Sequence, residues 1–76
     1  MEDVEKRVQL VLEDVLDIAP GRIGGETARE DVPEWDSLAH LRLVTALEEE
    51  FGVRFTMTEI AELRSVADII QYLKAV

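Results

Sequence analysis

At 76 residues the chain is long enough for one domain and no more, close to the smallest size at which an apolar core holds without covalent staples. It contains no cysteine, which excludes a disulfide frame or a thiolate metal site. Its net charge of −9, from seventeen acids against eight bases, excludes the basic footprint that nucleic acid or an anionic membrane surface requires. A hydrophobic fraction of 47% is too high for an acidic disordered tail, so the chain must fold, and its favoured partners are basic protein surfaces.

The first ten residues, MEDVEKRVQL, are charged and acidic where a signal peptide is basic and then apolar, and no apolar run approaches membrane-spanning length. A soluble, cytoplasmic, monomeric protein without membrane insertion is expected, with residues 1–76 as one free-standing domain and Met1 as its start. Residues 2–18 carry Val4, Val8, Val11, Leu12 and Val15 on one helical face, and Pro20, Gly21, Gly24 and Gly25 then stop the helix. Residues 19–36 show no sustained period and predict an unusually long loop, pinned to the core by Ile23, Val32 and Trp35 and containing at most one short turn. Trp35 is read as a loop anchor.

Residues 37–51 predict a second helix. Stepping side chains at about 100° groups Leu41, Leu43, Val44, Leu47 and Phe51 as the buried stripe. Leu38 falls more than about 120° from that stripe, on the solvent line with Arg42, Thr45 and Glu49. Gly52 ends this helix, Val53 to Phe55 run extended, and a short helix restarts from about Thr58 with Thr56 or Thr58 as its cap. Ser65, with Asp68 three residues on, then opens a last helix whose face is Val66, Ile69, Ile70, Leu73 and Val76. Three longer helices and a short one, with a long loop between the first and second, predict an all-α four-helix bundle.

Chemistry centres on PEWDSLAHL, residues 33–41. Ser37 has His40 three residues on, but no glycine-flanked elbow, oxyanion donor pair or committed orienting acid accompanies them, so an enzyme is not expected and no catalytic residue is assigned. His40 is read as a partly exposed helix residue, and as the only histidine in a chain without cysteine it predicts no metal site. The carboxylates of residues 30–37 lack the alternating ligands of a calcium loop, and Glu48, Glu49 and Glu50 read as a solvated face. For Ser37 the spacing leaves two readings open: a helix cap, or an attachment point where an added phosphodiester sits at a helix N-terminus that favours an anion.

The segment DSLAHLRLVTALEEEFGV, followed by EIAELRSVADIIQYL, resembles the acyl carrier proteins of fatty acid and polyketide synthesis over nearly the whole chain. The resemblance implies that Ser37 receives 4′-phosphopantetheine from coenzyme A through a magnesium-dependent phosphopantetheinyl transferase, with Asp36 assisting that modification. It implies Leu38 as the residue that docks in an apolar pocket of partner enzymes. It also implies an outer face (Leu38, Arg42, Thr45, Glu48 and Glu49) that meets basic patches on acyl-loading and acyl-processing enzymes. Ala39 and Arg42 stand where housekeeping fatty-acid carriers have acids, so a specialised fatty-acid-, polyketide- or other lipid-type pathway is expected. The alternatives are an aminoacyl or peptidyl carrier, and an unmodified acidic adaptor in which Ser37 only caps a helix.

Overall fold

The computed structural model describes residues 4–75, and among them it is an all-α bundle. Its helices are α1 (Val4–Leu16), α2 (Ser37–Phe51), the short α3 (Met57–Glu62) and α4 (Val66–Ala75), with one 3-10 turn at Arg29–Asp31 in the long loop. Helix α1 packs on both α2 and α4, which places Val8, Leu12 and Leu16 against Leu43, Val44, Leu47, Val66 and Ile69 in one aliphatic core. The loop is tied down as its apolar residues require: Ile23, Val32 and Trp35 are all buried in that core.

Helix α1 ends two residues earlier than its periodicity suggests. Asp17 adopts the left-handed region (φ 55°), and the Ile18 N–H returns to the Glu13 carbonyl at 3.2 Å, closing a Schellman turn before Pro20 is reached. Aspartate is among the few side chains that tolerate this conformation, and its signal is much weaker than glycine's. The predicted start at Glu2 and Asp3 lies outside the described residues, as does Val76 of the last helix. Helix α2 ends the same way, with Gly52 (φ 66°) as the left-handed residue and the Val53 N–H returning to Glu48 O at 3.2 Å.

Two local caps start α3 and α4. Thr56 accepts from the Glu59 N–H at 3.1 Å while the Glu59 carboxylate accepts from the Thr56 N–H at 2.8 Å, a complete capping box that starts α3 at Met57 rather than after Thr58. Ser65 Oγ accepts from the Asp68 N–H, but the Asp68 carboxylate reaches past Ser65 to the Arg64 N–H at 3.1 Å. The Glu59 carboxyl also accepts from the Tyr72 hydroxyl at 3.1 Å, and the Tyr72 ring lies 4.6 Å from that of Phe55.

The Thr56 N–H, followed by the Tyr72 hydroxyl, holds the Glu59 carboxyl below its ordinary value against an opposing desolvation. A depressed carboxylate contributes stability that is fully present above its unfolded value near 4.5 and is lost as pH falls through the lower folded value. Glu59→Gln keeps an acceptor at the capping box and removes the charge. Urea unfolding is therefore expected to show Glu59→Gln less stable than the wild type at neutral pH. That gap should shrink as pH falls from about 4.5 through the lower folded value; a gap independent of pH would contradict this origin.

Candidate functional site

The serine at the head of α2 has no structural duty. Asp36 is the N-cap: its backbone is extended (φ −88°, ψ −173°) and its Oδ1 accepts from the Ala39 N–H at 2.8 Å. Ser37 is the first helical residue, exposed, and its hydroxyl has no hydrogen-bond partner among the described residues. The reading of Ser37 as the cap is therefore corrected: two good capping residues stand side by side, and the helix register assigns the task to the first. The early N–H groups of α2 that Asp36 does not take lack intrahelical partners, so the free hydroxyl stands at the positive end of a fifteen-residue helix.

This end of α2 is held by a buried polar chain. The Trp35 indole N–H donates to His40 Nδ1 at 2.9 Å, and His40 Nε2 lies 2.8 Å from the Ile60 carbonyl. Because Nδ1 accepts, the ring proton belongs on Nε2, where it donates to Ile60 O. Trp35 is 2% and His40 4% exposed, which corrects the expectation of a partly exposed histidine. Its polar atoms are satisfied by the loop on one side and α3 on the other, so its burial leaves nothing unpaired. The chain thereby links the residue just before Asp36 to α2 and α3. The Trp35 carbonyl also accepts from Arg29 Nε at 3.1 Å.

The outer face of α2 carries Leu38, Arg42, Thr45 and Glu49, all exposed as their helical positions suggest. Leu41 joins them at 54% exposure, against its expected place in the core. The reason is His40: once it counts as a core residue, the buried stripe centres on His40, Leu43, Val44 and Leu47, and Leu41 lies about 100° from it. Leu38 (59%) and Leu41 are large apolar side chains exposed within about one turn of the free serine, and Met57 (80%) is exposed at the start of α3.

The three consecutive glutamates do not act alike. Glu48 is half-buried and accepts from the Phe55 N–H at 2.9 Å, and Glu50 accepts from Arg7 across α1 and α2 at 2.7 Å, which leaves Glu49 as the one with no partner among the described residues. Thr45 Oγ1 donates back to the Leu41 carbonyl at 3.1 Å. Arg42 makes no ion pair within the described chain. Among the described residues there is no cluster of three or more metal-ligating side chains, and no helix is long and apolar enough to cross a membrane.

The geometry can be set beside known proteins. The family model described as "Phosphopantetheine attachment site" matches residues 6–73. An acyl carrier protein of Thermosynechococcus vestitus is 30% identical over 71 residues, spanning 93% of this chain and 88% of that protein. The solution structure of a holo acyl carrier protein from Geobacter metallireducens superposes with a TM-score of 0.83 at 25% identity, covering 95% of this chain and 83% of that one. An exposed, unpartnered serine hydroxyl at a helix N-terminus suits the attachment of a phosphodiester. The chain belongs to the phosphopantetheine-attachment-site family as an acyl carrier protein, a carrier rather than a catalyst, with covalently attached 4′-phosphopantetheine as its cofactor.

Proposed function

We propose that the arm is joined to Ser37 Oγ and that the loaded carrier serves a specialised acyl pathway in the cytoplasm rather than housekeeping fatty acid synthesis. The observation that carries the attachment point is the exposed Ser37 hydroxyl, released from capping by Asp36. The arm's thiol holds acyl intermediates as thioesters. The chain's own residues do the rest: Asp36 keeps one carboxylate oxygen free to assist the phosphopantetheinyl transferase. The unpaired N–H groups of the first turn of α2 favour the phosphodiester anion, and the Trp35–His40–Ile60 chain fixes where Ser37 is presented.

The docking face is Leu38, Arg42, Thr45 and Glu49, with Leu41 added to its apolar part. Glu48 belongs to it only at its edge, since its carboxylate already serves the Phe55 N–H. Arg42 supports specialisation: it sets a positive charge in the middle of a face that would otherwise present only an acid, so a partner with a basic patch at that point is repelled and one with an acid is favoured. Incubation with coenzyme A, magnesium and a broad-specificity transferase is expected to add one arm to the intact mass; an unchanged mass would sink the proposal. Once loaded, the wild type is expected to be a poorer substrate for a housekeeping ketosynthase than Arg42→Glu, by about tenfold in kcat/KM, equivalent to about 1.4 kcal/mol. Equal turnover of the two would remove Arg42 as the reason for partner choice.

A further inference from the structure

A cleft of about 680 Å³ opens between the long loop and the junction of α3 with α4, lined in part by Trp35, two residues before Ser37. Its floor is Val32 and Trp35; its rim carries Arg29, Arg64, Ser65 and Glu30. The two arginines are brought together by the backbone. Ala28 and Ser65 form a single antiparallel bridge, stitched by Arg29 N–H to Arg64 O at 2.8 Å and Val66 N–H to Thr27 O at 2.9 Å. The bridge brings Arg29 and Arg64, the residues next to it, to the lining of one cleft.

Two like charges lining one cleft repel each other. A chain with seventeen acids could neutralise them, yet neither guanidinium lies in an ion pair among the described residues. Glu30 on the rim is beyond ion-pair distance of both, and Asp68 uses its carboxylate on the Arg64 backbone N–H instead of the side chain. Arg22 and Glu34, by contrast, pair at 2.6 Å elsewhere in the same loop. Among the described residues only the Nε of the Arg29 donors is bonded, to the Trp35 carbonyl, so both terminal nitrogens and the whole Arg64 fork remain available there. Two open guanidinium forks over an indole floor form a receptor for a carboxylate or phosphate oxygen pair.

We propose that this cleft is an anion subsite of the loaded carrier, in which Arg29 and Arg64 take a carboxylate or phosphate group brought in by the arm on Ser37. The proposal rests on the Ser37 attachment point. Trp35 is two residues before Ser37, so the floor of the cleft is within about 7 Å of chain from the point of attachment, well inside the reach of the arm. Tethering answers the objection of net charge: an anion free in solution is repelled by a body of −9, whereas one carried on the arm meets the cleft at the high effective concentration of an intramolecular ligand. The cargo class that fits is an acyl group ending in a free carboxylate.

The test compares the protein loaded from succinyl-coenzyme A with the protein loaded from butyryl-coenzyme A, which differ at the distal carboxylate. Each is checked by intact mass and then followed through the Arg29 and Arg64 Nε–H and the Trp35 indole N–H resonances. Displacement of these resonances in the succinyl form alone, lost in Arg64→Gln, supports a carboxylate subsite. Equal displacement in both forms, likewise lost in Arg64→Gln, supports the arm's own phosphodiester as the anion. Arg64→Gln is the primary variant because the Arg64 guanidinium makes no bond among the described residues, and Arg29→Gln repeats the measurement. A full mass gain with no displacement, or a displacement that survives in Arg64→Gln, overturns the subsite and leaves the attachment point intact. An absent mass gain overturns both.

Discussion

Ser37→Ala is expected to abolish the mass gain on incubation with coenzyme A, magnesium and transferase while leaving stability within about 0.5 kcal/mol of the unmodified wild type, as for an exposed substitution that removes no bond. The two readouts separate because capping rests on Asp36 and the proposed attachment on its neighbour. Asp36 accepts from the Ala39 N–H and holds the head of α2, while the Ser37 hydroxyl bonds to nothing among the described residues. Asp36→Ala should therefore show the reverse in its stability, losing about 0.5–2 kcal/mol as a removed cap does. For a domain of this size that corresponds to roughly 4–8 °C in melting temperature per kcal/mol. Asp36→Asn separates the roles further. Asparagine caps as well as aspartate, so stability should hold, whereas the lost charge should slow modification if Asp36 assists the transferase. A Ser37→Ala protein that still gains one arm would relocate the attachment point.

The second large effect is at Trp35. Replacing a buried tryptophan by alanine costs about 3–5 kcal/mol, against a total stability of about 4–11 kcal/mol at the usual 0.05–0.15 kcal/mol per residue. Here the loss should sit at the upper end of that range, because the indole N–H also satisfies His40 Nδ1 in a site with almost no solvent access. Trp35→Phe restores most of the volume but not the donor and is expected to cost about 1–3 kcal/mol, the price of a buried acceptor left unpaired. Urea unfolding of the three proteins at one salt concentration measures both terms. A Trp35→Ala loss under about 1 kcal/mol would mean that the loop does not depend on this anchor. The functional corollary is that Trp35→Phe should slow loading of Ser37 beyond its effect on stability, since the bond to His40 fixes the loop residue that leads into Asp36.

Much of the fold is legible locally because helices advertise themselves by period and their ends by caps. The stripes Val8–Leu12, Leu43–Val44–Leu47 and Val66–Ile69–Leu73 all reach the core. Gly52 ends α2 as glycine commonly does, and the Thr56–Glu59 box starts α3 from residues three apart. The differences arise where a local signal is weak or a partner is distant in sequence. Asp17 ends α1 through a conformation for which aspartate is a weak signal, and the choice left open at Ser37 is decided against capping by a one-residue register. His40 was legible only as a polar residue on a helix, and with it misplaced the stripe shifted and drew Leu41 inward. Glu48 read as solvated because its partner, the Phe55 N–H, lies beyond the helix end.

By itself the sequence determined the helical class, the acidic character, the pinned loop, the outward turn of Leu38 and the motif that marks a carrier of phosphopantetheine. The first four follow from residue type and spacing, and the motif is legible through its resemblance to a known family. Only the tertiary structure decided that Asp36 caps and leaves Ser37 free, that Trp35 and His40 close a buried polar chain onto α3, and that a bridge between Ala28 and Ser65 brings Arg29 and Arg64 to one cleft. Periodicity reports which side of a helix avoids water. It carries no information about which distant group will meet a buried donor, a buried acceptor or a charge, and those meetings define this site.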